Sequence, residues 1–216
     1  YASPDITLYD YQKLLYHEMM HCWIGIKIKS THQDEEDYSY LWFTEGFTEY
    51  FTYKVMLQNG IITVDEYQKI INEEFFDWLE KSPFKSISNQ ELGEKMATEE
   101  SVMQLPYKRG LIFALLLDIK IKHAHQNKLG LADFMKEILC YYEAEDLSLN
   151  DDFQFFAQTC DRYIKGSFDE LFKTHITKGV PVTALALNLL PYLSFSENID
   201  TLQISPSPED IKMLMI

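Results

Sequence analysis

The sequence predicts a mainly α-helical protein, and three features carry that expectation. Apolar residues recur at three- and four-residue intervals through most of the chain. Helix punctuation separates these segments: Gly25 follows the first, Asn59-Gly60 the second, and Pro106 opens a later one. Strand-like character is confined to a weak stretch, Val182 to Leu187, after Gly179.

The elements follow in order. A first helix spans Tyr9 to Ile24 and stops at Gly25; Ile26 to Ser39 leaves it as a largely polar loop. A second helix covers Leu41 to Gln58. Thr63 or Asp65 caps a third, Glu66 to Glu80, which Ser82-Pro83 breaks. Lys85 to Gln104 is polar and reads as a long irregular loop. Pro106 opens a strongly apolar helix, Tyr107 to His123, and three further helices follow at Leu131 to Tyr142, Asp151 to Tyr163 and Ser167 to Thr177. The ISPSPED segment has the composition of a linker. Residues 1–180 are therefore expected as one lobe and 181–216 as an extension or linker.

Composition excludes several classes of function. Asp and Glu number 34 against 19 Lys and Arg, for a formal charge of -15. A nucleic-acid partner needs clustered cations, so none is expected. Arg109 and Arg162 are the only arginines. No run of 18 apolar residues occurs, so no membrane span is expected. The start, YASPDITLYD, has neither the basic nor the apolar region of a signal peptide, and it lacks an initiator Met, which suggests a processed or excised chain; the compartment and the oligomeric state stay open. Cys22, Cys140 and Cys160 are too few and too scattered for a disulfide framework and read as buried free thiols.

One motif carries chemistry. His17-Glu18-Met19-Met20-His21 is HExxH within the first helix. Residues four apart share a helical face, so both imidazoles reach one ion, and neutral ring nitrogens at about 2.0–2.1 Å suit Zn²⁺. Glu18 is rotated by one position and can contact a water held there as its general base. A structural pair of helix histidines is the competing reading. A catalytic zinc site takes a third protein ligand and leaves one position open. Glu45, set among Leu41, Trp42, Phe43 and Phe47, is costly to bury without a cation; His32, in the acidic THQDEED loop, is the rival ligand. Glu49, one turn beyond Glu45, is open to either a supporting or a surface role. Tyr107 is one of 14 tyrosines, and composition alone gives it no role.

HEMMHCWIGIK, LWFTEGFTEYF and YKRGLIFALLLDIKIK together resemble the gluzincin zinc metallopeptidases, first the glycyl aminopeptidase family and next the aminopeptidase N family. The 23 residues between His21 and Glu45 fit the longer spacing of the glycyl aminopeptidase group. The resemblance runs from about Tyr9 to Val180. It implies the helical lobe of a thermolysin-like catalytic domain, holding one Zn²⁺ per chain on His17, His21 and Glu45. It further implies Glu18 as general base and proton shuttle, Tyr107 as the donor that stabilises the transition state, and a peptide as substrate, which makes the chain a zinc metallopeptidase and an aminopeptidase. Two departures accompany it. Only 16 residues precede His17, so the family's upstream β-sheet part is largely missing from the chain, and no GxMEN-type sequence grips a free amine. By the same analogy, residues 181–216 could lead to a PDZ-like module. The alternative is a non-catalytic, zinc-stabilised peptide-binding scaffold, or a fragment inactive without its partner lobe.

Overall fold

The computed structural model describes residues 6–31, 38–96 and 98–183, together with the backbone of 195–196 and 203–204. Helix α1 (Leu8–His21) starts in a reciprocal cap: the Thr7 hydroxyl accepts from the Asp10 N–H, and the Asp10 carboxylate accepts from the Thr7 N–H at 2.8 Å. Its last turn loosens through Cys22 to Ile24, and Gly25 at φ +105° lets the chain double back so that Ile24 and Ile28 bridge.

The predicted helix over Leu41 to Gln58 is two helices, α2 (Leu41–Thr44) and α3 (Gly46–Gln58), meeting at Glu45. Helical hydrogen bonds still run through the junction, from the Glu45 N–H to the Leu41 carbonyl and from the Glu49 N–H to the Glu45 carbonyl. The interruption is therefore a local distortion. Thr63, with Glu66, caps α4 (Val64–Lys69), which continues through a π-helical stretch (Ile70–Phe76) into α5 (Asp77–Lys81).

The expected loop over Lys85 to Gln104 needs correcting. It contains α6 (Asn89–Met96) and a 3₁₀ turn at Glu100–Val102. Its signal is a cap, with the Ser88 hydroxyl accepting from the Glu91 N–H while Glu91 accepts from the Ser88 N–H. Leu92 is the one buried residue of that helix, too little apolar periodicity to show in a polar stretch.

Helix α7 (Leu105–Ala124) is the axis of the lobe, followed by α8 (Leu131–Glu145), α9 (Phe153–Ile164) and α10 (Phe168–Phe172), the last extended by a π-helical turn at Lys173–Thr177. Phe113, on α7, faces Trp42, which is ringed by Phe47, Phe156 and Phe172 at centroid distances of 5.2–6.2 Å. Such edge-to-face clusters contribute both apolar area and preferred ring geometry. A buried carboxylate ties three helices together. Asp118 accepts from the Tyr50 hydroxyl and the Leu131 N–H, both at 2.6 Å, and pairs with Lys122 at 3.0 Å and Lys54 at 3.5 Å. Burial alone would raise its pKa, but the two lysines outweigh that and hold it below the usual carboxylate range.

Two glycines set the crossing of α3 and α7. A methyl group on Gly46 would lie 2.3 Å from the Gly110 Cα, and one on Gly110 would lie 2.2 Å from the Trp42 carbonyl oxygen. The backbones therefore touch. This contact brings Glu45 on one helix beside Tyr107 on the other.

Val182 and Thr183 have no regular structure, and the rest of the expected strand, 184–187, lies outside the described residues, as does most of the proposed linker. Within the extension, Phe195–Ser196 (β1) pairs antiparallel with Gln203–Ile204 (β2). Among the described residues the architecture is mainly α, as expected, and no helix is long and apolar enough to cross a membrane. The thiols depart from expectation: Cys160 is buried, but Cys22, at the C-terminal cap of α1, and Cys140, on the outer face of α8, are exposed.

Candidate metal centre

The first and last turns of the HExxH motif lie against α3. His17 and His21 occupy successive turns of α1, and their Nε2 atoms are 3.2 Å apart. Glu45 Oε2 lies 3.3 Å from the first and 3.6 Å from the second. Three ligand-type atoms from two helices thus form a nearly equilateral triangle. Tetrahedral bonding at about 2.0–2.1 Å separates neighbouring ligand atoms by about 3.3–3.4 Å. The spacing fits a zinc-sized ion.

Protons explain why the triangle needs a cation. His17 Nδ1 is 3.0 Å from Glu49 Oε2, and His21 Nδ1 is 3.1 Å from the Ile24 carbonyl oxygen. Both partners only accept, so each Nδ1 carries the proton and each Nε2 turns a lone pair toward Glu45. With both rings neutral, three lone-pair-bearing atoms converge, and the point attracts a cation. Burial alone would lower the His17 pKa, yet its hydrogen bonds to Glu45 and Glu49 outweigh that and raise it to about 9. His21 is raised too, chiefly by Glu45. Burial would raise Glu45, but His17 and His21 pull it down to about 2. The field at this point favours positive charge, which a proton or a metal ion can supply.

The surrounding residues hold the triangle. The Thr48 hydroxyl sits 3.4 Å from His21 Nδ1. Glu49, whose side chain is only 6% exposed, turns its second oxygen to Lys13 Nζ at 2.9 Å. The Tyr107 ring stacks on His17 at 6.1 Å, with 22° between the planes, and its hydroxyl donates to Glu45. Burial, and then Glu45, push the phenol well above its ordinary pKa, so it is a donor throughout the physiological range. Glu18 is exposed beside the triangle, close enough to act electrostatically on Tyr107.

Of the residues singled out in the sequence, His17, His21, Glu45 and Tyr107 meet at one point, with Glu18 at its rim. His32 lies outside the described residues. Among the described residues, His17, His21 and Glu45 are the group able to hold a metal ion. Sequence reasoning left Glu49 undecided and passed over Lys13. The available signal was spacing, since Lys13 is four residues before His17 and Glu49 four after Glu45.

Comparison with known proteins agrees with this geometry. The sequence profile of the M61 glycyl aminopeptidases matches residues 10–105, a span that includes both histidines and Glu45. The structure is similar to the crystal structure of an aminopeptidase N family protein from Idiomarina loihiensis, with a TM-score of 0.68 and 22% identity over 91% of this chain. That match spans 35% of the Idiomarina protein, so the chain corresponds to about a third of its length. No curated protein matches in sequence. Over residues 10–105, which hold the histidine helix and Glu45, the chain is thus similar to the M61 glycyl aminopeptidases, and it shares the helical fold of part of an aminopeptidase N family protein.

Proposed function

We propose that residues 1–180 form the helical lobe of a zinc metallopeptidase that hydrolyses peptide bonds, acting as an aminopeptidase in the whole protein. Residues 181–216 are read as an extension outside the site. The convergence of three ligand-type atoms from two helices, His17 Nε2, His21 Nε2 and Glu45 Oε2, at 3.2–3.6 Å from one another carries the reading. His17, His21 and Glu45 would hold one Zn²⁺ per chain. When bound, zinc acidifies water and polarises a carbonyl.

The chain's own residues do the rest. Glu18, exposed at the rim, takes a proton from the attacking water and returns it to the leaving amine. One water O–H bond and the peptide C–N bond break, while a C–O bond and an N–H bond form. Tyr107, kept protonated by its surroundings, donates to the oxygen on which negative charge develops. Glu49 and the Ile24 carbonyl fix the ring tautomers that keep both Nε2 lone pairs free. A peptide laid across this lobe has its first residue recognised by parts of the whole protein outside the described residues.

The test pairs zinc content with peptide cleavage on the full gene product. Purified wild type is expected to hold one zinc, His21→Ala to lose it, and Glu18→Gln to keep it while losing cleavage. Glu18→Gln that still cleaves at the wild-type rate would remove Glu18 from the mechanism.

A further inference from the structure

Lys13 is one turn ahead of His17 on the same face of α1, and both side chains end on Glu49 of α3. They use different atoms: Lys13 Nζ takes Oε1 at 2.9 Å, and His17 Nδ1 takes Oε2 at 3.0 Å. The carboxylate is therefore a bridge with each oxygen assigned. Lys13 is restrained from a second side, since its ammonium lies 5.0 Å from the centre of the Tyr53 ring, and Tyr53 is wholly buried. A lysine head held between a ring and a buried carboxylate has few alternative positions.

We propose that Lys13 is a positioning residue for the metal centre: by holding one oxygen of Glu49 it presents the other to His17, and so fixes the ring that offers Nε2. The inference rests on the zinc reading given above. With Lys13 removed, Glu49 has a buried oxygen without a donor and satisfies it by turning away from His17. The His17 ring then loses both its tautomer partner and its orientation. Groups that orient metal-ligating histidines typically contribute about 10- to 100-fold in metal affinity.

Zinc is titrated into metal-free full-length protein against a competing chelator, and the visible spectrum of the Co²⁺ form is recorded in parallel. Lys13→Met is expected to weaken zinc by about tenfold and to shift the Co²⁺ absorption bands. Lys13→Arg, which restores a cationic donor, should recover much of both. Lys13 is a surface-helix residue with a third of its side chain exposed, so Lys13→Met is expected to fold; Lys13→Gln gives the same comparison with a smaller change of polarity. Zinc binding as tight as wild type in both variants, with an unchanged Co²⁺ spectrum, would overturn the role of Lys13 and leave the metal centre intact. A wild type that binds no zinc would overturn the zinc reading itself, and this inference with it.

Discussion

Helix α7 buries 15 of its 20 residues, whereas none of the 14 residues of α1 is buried. Both helices face Glu45, α7 through Tyr107 and α1 through its two histidines. They are held by different forces. Helix α7 is fixed by apolar packing and by the Asp118 cluster. Helix α1 leaves Leu8, Tyr11, Leu14, Leu15 and Met19 exposed, touches the core through the half-buried Tyr9 and Tyr16, and meets α3 through polar links: Lys13 and His17 to Glu49, His17 and His21 to Glu45. Helix α7 carries most of the buried packing and adds Tyr107 to the candidate site, while α1 supplies His17, Glu18 and His21. Substitutions should therefore separate, with those on α1 acting on turnover and those on or against α7 acting on folding.

The largest separation is expected from Glu18→Gln. Loss of a positioned acid–base group typically slows turnover by about 10²–10⁴-fold, and the thermal midpoint should stay at the wild-type value because Glu18 is exposed. Steady-state kinetics with a melting curve checks both halves. Asp118→Asn is the mirror image. Breaking a buried charge cluster costs about 3–5 kcal/mol, read as a shift in the urea unfolding midpoint, because Lys54 and Lys122 are left facing an uncharged amide. The pH dependence follows from the sign of the Asp118 shift. Its carboxyl is depressed in the folded state, so its contribution is complete above the unfolded value of about 3.9 and declines as pH falls below it. The Asp118→Asn variant should lack that acid-side decline.

Two further substitutions probe where the helices meet. Gly110→Ala places a methyl group 2.2 Å from the Trp42 carbonyl oxygen and 2.6 Å from the Gly46 Cα. Overpacking of this kind costs about 1–3 kcal/mol, and here it also pushes Glu45 away from Tyr107, so stability and turnover should fall together. Leu15→Ser is the smallest change. Its side chain is 60% exposed on α1, and stability of the chain should move by no more than about 0.5 kcal/mol. A large loss there would show that α1 depends on apolar contacts and would collapse the contrast with α7.

The same contrast explains what the sequence revealed. The meeting of His17, His21 and Glu45 was legible because HExxH places both histidines on one face, and because Glu45 is a carboxylate among aromatic residues that is costly to bury without a cation. Helix boundaries were legible where a cap or glycine flanked a periodic apolar run, as at Thr63 and Gly25, whereas the Ser88 cap, with no such run behind it, was not. The pairing of Gly46 with Gly110 was not, because two backbones in contact leave no periodic trace. Glu49 and Lys13 were hidden for a related reason. A buried charge satisfied by a residue on another helix looks, along the chain, like any solvated charge. Helix α6 escaped because one buried leucine gives no repeat to read.

Anomalous diffraction at the zinc edge, on crystals of the full-length protein grown with zinc, tests the central claim most directly. The account predicts one strong peak at bonding distance from His17 Nε2, His21 Nε2 and Glu45 Oε2. A peak held by other residues, or no peak at this triangle while the three side chains keep their positions, would contradict it.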